Sequence, residues 1–410
     1  LFDDVYETHA INNDKVYYVV VDADGNALKD DNGNYQLTTE VTSMRLDVNC
    51  PILKEVSYEN EIWAYLVDQL SIDEYITCAG SMGWQTPAVE SVNKERTSVV
   101  DGPGESGNGN NSYGTNTWFS SAVVNASTWN PTLAYKMGVV YAHQSIKNGL
   151  TGAYCPAMNT HRTPFGGRNF EYYSEDGFIG GTIGAATATG LQDSGISVFI
   201  KHMAMNDNDT NRDGNITWFS EQAAREIYLK DYEISCKYTY VYDEETDTAT
   251  RVLGEGVLGI MSSLNRDGIS MFHQGLYKNI LRGEWGFNGM IITDGVGPYA
   301  WIMTPGAGLF GGVEGQLGGS AVSAYYEYEG NASATNYGRY LLRQAAKHML
   351  YQFCHTGGTK AINVTITADQ SWKTYKTIGN VVLGVAAAAT AVVCFVLPYT
   401  GKKTKKEENA

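Results

Sequence analysis

Short apolar runs alternating with helical periods predict an α/β protein built on a parallel sheet, and 410 residues suit closure of that sheet into a (β/α)8 TIM-type barrel, irregular in places. The runs at residues 197–200, 256–261 and 289–293 read as buried strands, and residues 221–237 and 336–353 as helices. A nearly uninterrupted apolar stretch at residues 378–399 adds a C-terminal transmembrane helix. A short β-rich segment at the N-terminus completes the expected architecture.

That N-terminal segment covers residues 1–56. Residues 17–21 are β-branched or aromatic, and Asp22–Asn26 and Asp30–Asn34 are Asp/Asn/Gly turn signals. Neither acidic cluster has the register or terminal glutamate of a calcium loop, so both read as hairpin turns. From residue 59 the pattern changes. Ile62, Leu66, Leu70 and Ile72 lie at helical spacing, and the strand–helix alternation continues to about residue 355. The expected barrel therefore spans 57–355, followed by a linker at 356–377. Residues 102–114 form a glycine-rich loop whose spacing does not match a phosphate-binding loop.

Composition narrows the function. A net charge of −16 and a pI near 4.9 exclude nucleic acid and other polyanions as partners. The 28 tyrosines suit stacking on sugar rings, but they serve equally well as core. The six cysteines show neither paired nor Cys/His metal spacing and read as scattered buried thiols. The chain starts at Leu1 without methionine, as expected of a piece of a longer or processed polypeptide.

The apolar C-terminal stretch is long enough to span a bilayer, and it is followed by Lys402, Lys403, Lys405 and Lys406. Only Lys373 and Lys376 lie close upstream. The positive-inside rule puts residues 400–410 in the cytoplasm and the folded part outside the cell. Trp372, Tyr375 and Tyr399 sit where an interfacial aromatic belt belongs.

Three apolar strands end in charged residues, which is where barrel enzymes keep their sites. They are Thr97-Ser-Val-Val-Asp101, Ser197-Val-Phe-Ile-Lys201-His202 and Gly289-Met-Ile-Ile-Thr-Asp294. Around them, His161-Arg162-Thr-Pro-Phe-Gly-Gly-Arg168-Asn-Phe-Glu171-Tyr-Tyr-Ser-Glu-Asp176, Lys201-His202…Asn206…Arg212, Glu221-Gln-Ala-Ala-Arg225-Glu226 and Arg282-Gly-Glu-Trp285-Gly-Phe…Asp294 follow in order. Together these segments resemble family 3 glycoside hydrolases of the β-glucosidase and β-xylosidase type, over about residues 57–355.

The resemblance implies a retaining hydrolase of terminal β-linked sugars, with Asp294 as nucleophile and no metal or organic cofactor. Asp101, Arg162, Lys201 and His202 match the residues that hold the hydroxyls of the non-reducing sugar. Met261, at the head of Met261-Ser-Ser-Leu264, is placed with them. Arg168 and Glu171 are expected to pair behind the pocket, and Asn206, Asp209 and Arg212 to scaffold a loop. Lysine and arginine near Asp294 are expected to keep it ionised.

Departures from the family pattern are Leu264, where a tyrosine is usual, and Gly295, where many members have tryptophan. The family's acid/base glutamate usually comes from an α/β-sandwich domain, for which no match is found here. The subset with the sandwich ahead of the barrel is the expected arrangement, so that residues 1–56 are the tail of an upstream region. Glu314 and Glu327 are conceivable substitutes by position alone. The rival reading is a membrane-anchored carbohydrate-binding protein without catalysis.

Overall fold

The computed structural model describes residues 15–102, 119–210, 212, 217–263, 274–296, 305–318, 335–356 and 371–396. Two units separate, Leu1–Val364 and Thr365–Ala410.

In the first unit, Tyr18–Val19 (β1), Leu37–Thr38 (β2) and Met44–Arg45 (β3) form a small antiparallel sheet with β1 central. Both acidic clusters are turns, as expected. Asp22 Oδ1 accepts from the amides of Asp24 and Asn26 at 2.9 and 2.8 Å, and Gly25 takes the positive φ of +85° that the turn requires. Val19, Leu46, Val48 and Ile52 share one core with Trp63, Leu66 and Tyr75, so packing continues across residue 56. The helix expected from Ile62 to Ile72 is two helices, Ile62–Val67 and Ile72–Gly80. Ser71 starts the second through a capping box: its Oγ accepts from Glu74 N at 3.1 Å, and Glu74 Oε2 accepts from Ser71 N at 2.8 Å.

The main strands form two four-stranded sheets. One contains Gln85–Thr86 (β4), Thr97–Asp101 (β5), Gly152–Tyr154 (β6) and Ser197–Val198 (β7), in that order. The other follows the order Gly315–Leu317, Met290–Gly295, Gly259–Ser262, Ile200–Met203. In chain order these four are β8 (Ile200–Met203), β11 (Gly259–Ser262), β12 (Met290–Gly295) and β13 (Gly315–Leu317). All pairings are parallel except β4 with β5. Only Phe199 separates β7 from β8, and Met82 N donates to Gln316 O at 3.2 Å between the two far edges. The three expected strands are present, each shifted towards its C-terminal end.

Both faces of these strands are buried, which explains their unbroken apolar runs. Val198, Ile200, Ile260 and Ile291 pack with Ile183, Leu191, Tyr232 and Leu281, residues of the flanking helices. Phe199, Met261, Met290 and Ile292 belong to the other core, with residues of helix Asn336–His355. The expected helix at 221–237 is interrupted: Glu221–Ala223 and Lys230–Lys237 are α-helical, and Ala224–Tyr228 is a π turn. Next comes an unanticipated antiparallel hairpin, Tyr238–Asp243 (β9) with Thr248–Leu253 (β10). Cys50, Cys78, Cys155, Cys236 and Cys354 are free and buried, as expected, and Cys394 is exposed.

The described part of the second unit is one helix, Ser371–Ala391, which continues as a π turn over Val392–Val396. Its 22 residues from Lys373 to Cys394 have a mean hydropathy of 2.0 and none of the window is buried. At 1.5 Å per residue that is about 33 Å, long and apolar enough to cross a bilayer.

Candidate active site

The charged residues that end the apolar strands meet at the C-terminal ends of the parallel sheets. Asp101 closes β5, Lys201 and His202 lie in β8, and Asp294 is in β12, with β11 between those two strands. Strand alternation carries the pattern: Phe199, Met290 and Ile292 fill the core below, and Lys201 and Asp294 are the next residues up on the same faces.

Lys201 is buried, yet its Nζ has carboxylates on two sides, Asp101 Oδ1 at 3.0 Å and Glu171 Oε2 at 3.6 Å. Glu171 also pairs with Arg168 through Nε. Arg168 reaches Asp209 at 3.9 Å, which Arg212 holds at 2.9 Å. The result is a chain of alternating charges in which every carboxylate has a cation. Burial alone would lower the pKa of Lys201, but Asp101 and Glu171 together raise it, so it stays charged.

The second half of the site is an aspartate–histidine contact. His202 Nε2 lies 3.6 Å from Asp294 Oδ2. Asn159 fixes the histidine backbone twice: Nδ2 donates to His202 O and Oδ1 accepts from His202 N, both at 2.9 Å. The Tyr172 ring stands edge-on to the imidazole at 6.4 Å. Burial, then the charges of Arg168, Lys201 and Arg212, push the imidazole pKa well down, so His202 is neutral. A neutral imidazole in this place is a hydrogen-bonding group and not an imidazolium acid.

Asp294 Oδ1 accepts from Gly295 N at 2.6 Å, while its buried Oδ2 has no hydrogen-bond partner among the described residues. His202 Nδ1 is likewise without one. Such orphans are costly unless something else fills the site. Burial raises the pKa of Asp294 above the usual carboxylate value, while the Gly295 amide and the charges of Arg212, Lys201 and Arg168 oppose it and favour the carboxylate, as expected.

The two arginines of the 161–176 segment lie in different surroundings. Arg162 is exposed, its guanidinium 5.1 Å from the centroid of the Tyr228 ring, whereas Arg168 joins the charge chain. Met261 is buried in the core with Phe199 and Ile292. Asn206 Nδ2 donates to Tyr172 OH at 3.0 Å. Among the described residues, nothing lies within 4 Å of where a Cβ at Gly295 would sit.

Glu314 is elsewhere. It precedes β13, and its two oxygens are held by Arg282 at 2.9 Å and His348 at 2.7 Å. Despite burial these partners lower its pKa, the opposite of what a proton donor needs. Leu264 and Glu327 lie outside the described residues.

A parallel α/β sheet with this site at its C-terminal edge agrees with the comparisons. Residues 99–304 match the N-terminal domain of glycosyl hydrolase family 3, and the chain belongs to that family. Among curated proteins, beta-glucosidase A of Butyrivibrio fibrisolvens is 38% identical over 178 residues, 43% of this chain and 20% of the relative. The beta-glucosidase of Rhizobium radiobacter is 29% identical over 249 residues, 60% of this chain and 28% of the relative. The chain thus spans less than a third of the length of these relatives. Among solved structures, the Bifidobacterium adolescentis GH3 beta-glucosidase superposes with a TM-score of 0.60 at 25% identity, over 74% of this chain and 42% of that one. Beta-glucosidase 3B of Thermotoga neapolitana in complex with glucose gives a TM-score of 0.59 at 26% identity, covering 72% and 42%. These neighbours imply a TIM-type barrel domain.

Proposed function

We propose that this chain carries the glycone site and nucleophile of a retaining β-glucosidase-type hydrolase acting on terminal non-reducing β-linked sugars. The observation that carries the reading is the pairing of a buried charge chain, Asp101–Lys201–Glu171–Arg168, with an orphaned carboxylate oxygen on Asp294. A neutral sugar offers hydroxyls, which bind best to fixed charged donors and acceptors. Asp101, Lys201, Arg168 and His202 supply them, with Arg168 in the role first expected of Arg162. Asp294 Oδ2 attacks the anomeric carbon as the bond to the aglycone oxygen breaks, forming a glycosyl ester. Water then attacks that carbon and releases the carboxylate. Because the anomeric carbon is inverted twice, once by Asp294 and once by water, the released sugar keeps its configuration.

A 2-fluoro-2-deoxyglucoside with a dinitrophenolate leaving group tests this. The fluorine slows both ester formation and ester hydrolysis, and the dinitrophenolate leaving group speeds formation alone, so the adduct accumulates and peptide mass mapping should find it on Asp294. No adduct, together with retained glucose binding, would instead make the chain a carbohydrate-binding protein.

The helix Ser371–Ala391 supports placement at a cell membrane, single-pass, with the sheet domain outside and the lysine-rich tail in the cytoplasm. Deleting residues 371–410 should release the protein from the membrane fraction into the soluble one. Truncated protein that still sediments with membranes would refute the anchor.

A further inference from the structure

A second cleft runs along two helical segments and starts from the loop that follows β8. In parallel strand–helix units the N-terminus of each helix lies at the C-terminal end of the strand before it. The cleft opens between the helical segments that follow β8 and β11, Glu221–Tyr228 and Gly275–Glu284. Its volume is about 500 Å³, and one lining residue, Met205, is three positions beyond His202. The peptide between them is pinned from the cleft's own helix, where Tyr277 OH donates to Met203 O at 2.6 Å.

The lining has two parts. The floor is apolar, with Ala224, Leu229 and Leu276 buried against the core. The rim carries Trp218, which is 88% exposed, together with Asn279 and a fixed ion triad. Arg225 holds Glu284 through both terminal nitrogens, at 2.7 and 3.0 Å, and Glu221 through Nε at 2.9 Å. An indole left this open on a protein surface forgoes burial of its large apolar face.

We infer that this cleft is a non-catalytic saccharide site, in which a neutral pyranose ring stacks on Trp218 and its hydroxyls reach Asn279 and the Glu284–Arg225 pair. Several observations select that ligand. Two carboxylates against one guanidinium leave the rim at −1, which disfavours anions. The guanidinium is already chelated and cannot clamp a phosphate. A flat aromatic face beside fixed acceptors matches a ring with axial C–H groups on one side and equatorial hydroxyls at its edge. The volume of about 500 Å³ has room for more than one ring, which suits a short oligosaccharide. Only the choice of a sugar as ligand class rests on the glycosidase reading.

The test uses the 410-residue chain with cellotetraose and glucose, followed by saturation-transfer NMR. Trp218→Ala should weaken cellotetraose binding about tenfold, the effect of one lost stacking contact. Trp218→Phe should restore most of it, and Asn279→Ala should give a partial loss. Dinitrophenyl glucoside turnover and Asp294 adduct formation should be unchanged in all three. Cellotetraose affinity that is indifferent to Trp218 and Asn279 overturns the cleft. So does a parallel loss of glucoside turnover in folded Trp218→Ala protein, because Trp218 would then belong to the Asp294 site. The two readings fail separately: an adduct on Asp294 without Trp218-dependent binding removes only the cleft, and Trp218-dependent binding without an adduct removes only the nucleophile.

Discussion

Asp294→Asn should lower turnover of an activated glucoside by a factor on the order of 10⁴ or more, the scale of losing a covalent nucleophile. The substitution preserves shape. The Oδ1 that accepts from Gly295 N survives in asparagine, and the neutral His202 makes no ion pair that would break. The charge chain around Lys201 does not include Asp294, so the glycone groups stay in place and glucose affinity should be nearly unchanged. What disappears is the attacking lone pair at Oδ2. Steady-state kinetics with dinitrophenyl glucoside, beside a glucose titration, reads both quantities. Turnover that survives in the variant would remove Asp294 from the mechanism.

The strand ends were legible in the sequence because an apolar run that stops on a charge leaves few structural options. Asp101, Lys201 and Asp294 converge for that reason, each next in alternation above a buried residue, and His202 follows Lys201 directly. Arg162 and Arg168 were not distinguishable in the same way. They sit six residues apart in a loop without periodicity, and the path of that loop decides which one turns inward. Gly167 takes a φ of +91°, and a Cβ at Gly166 would lie 2.8 Å from Asp207 O, so the chain folds tightly there. The break between the helices at 62–67 and 72–80 did carry a signal, Ser71-x-x-Glu74, which hydrophobic spacing alone passed over. The hairpin at 238–253 also had one, in its Tyr/Thr/Val-rich arms around Asp243–Asp247. The raised pKa of Asp294 had none. Nearby cations can be counted in a sequence, but the burial that outweighs them depends on the assembled site.

The chain should hydrolyse dinitrophenyl glucoside far better than cellobiose, with a gap in kcat/KM about 10²- to 10⁴-fold wider than a family member carrying the sandwich domain shows for the same two substrates. On the proposed reading, attack on the anomeric carbon uses Asp294 and the glycone groups of this chain. Departure of a sugar alcohol also needs a proton, because its alkoxide is strongly basic. The carboxylates beside the described site are otherwise engaged: Asp101 and Glu171 hold Lys201, and Asp209 holds Arg212. Glu314 is locked between Arg282 and His348 with its pKa lowered, and His202 is neutral with its pKa well down, so neither supplies an acid near pH 7. Dinitrophenolate leaves without a proton, and its glucoside bypasses the missing step. Adding a family sandwich domain with its acid/base glutamate should then raise cellobiose turnover and leave the dinitrophenyl substrate nearly unchanged. Equal handling of both substrates by the unaided chain would place the acid within it, and the assignment of the proton to a separate domain would fall.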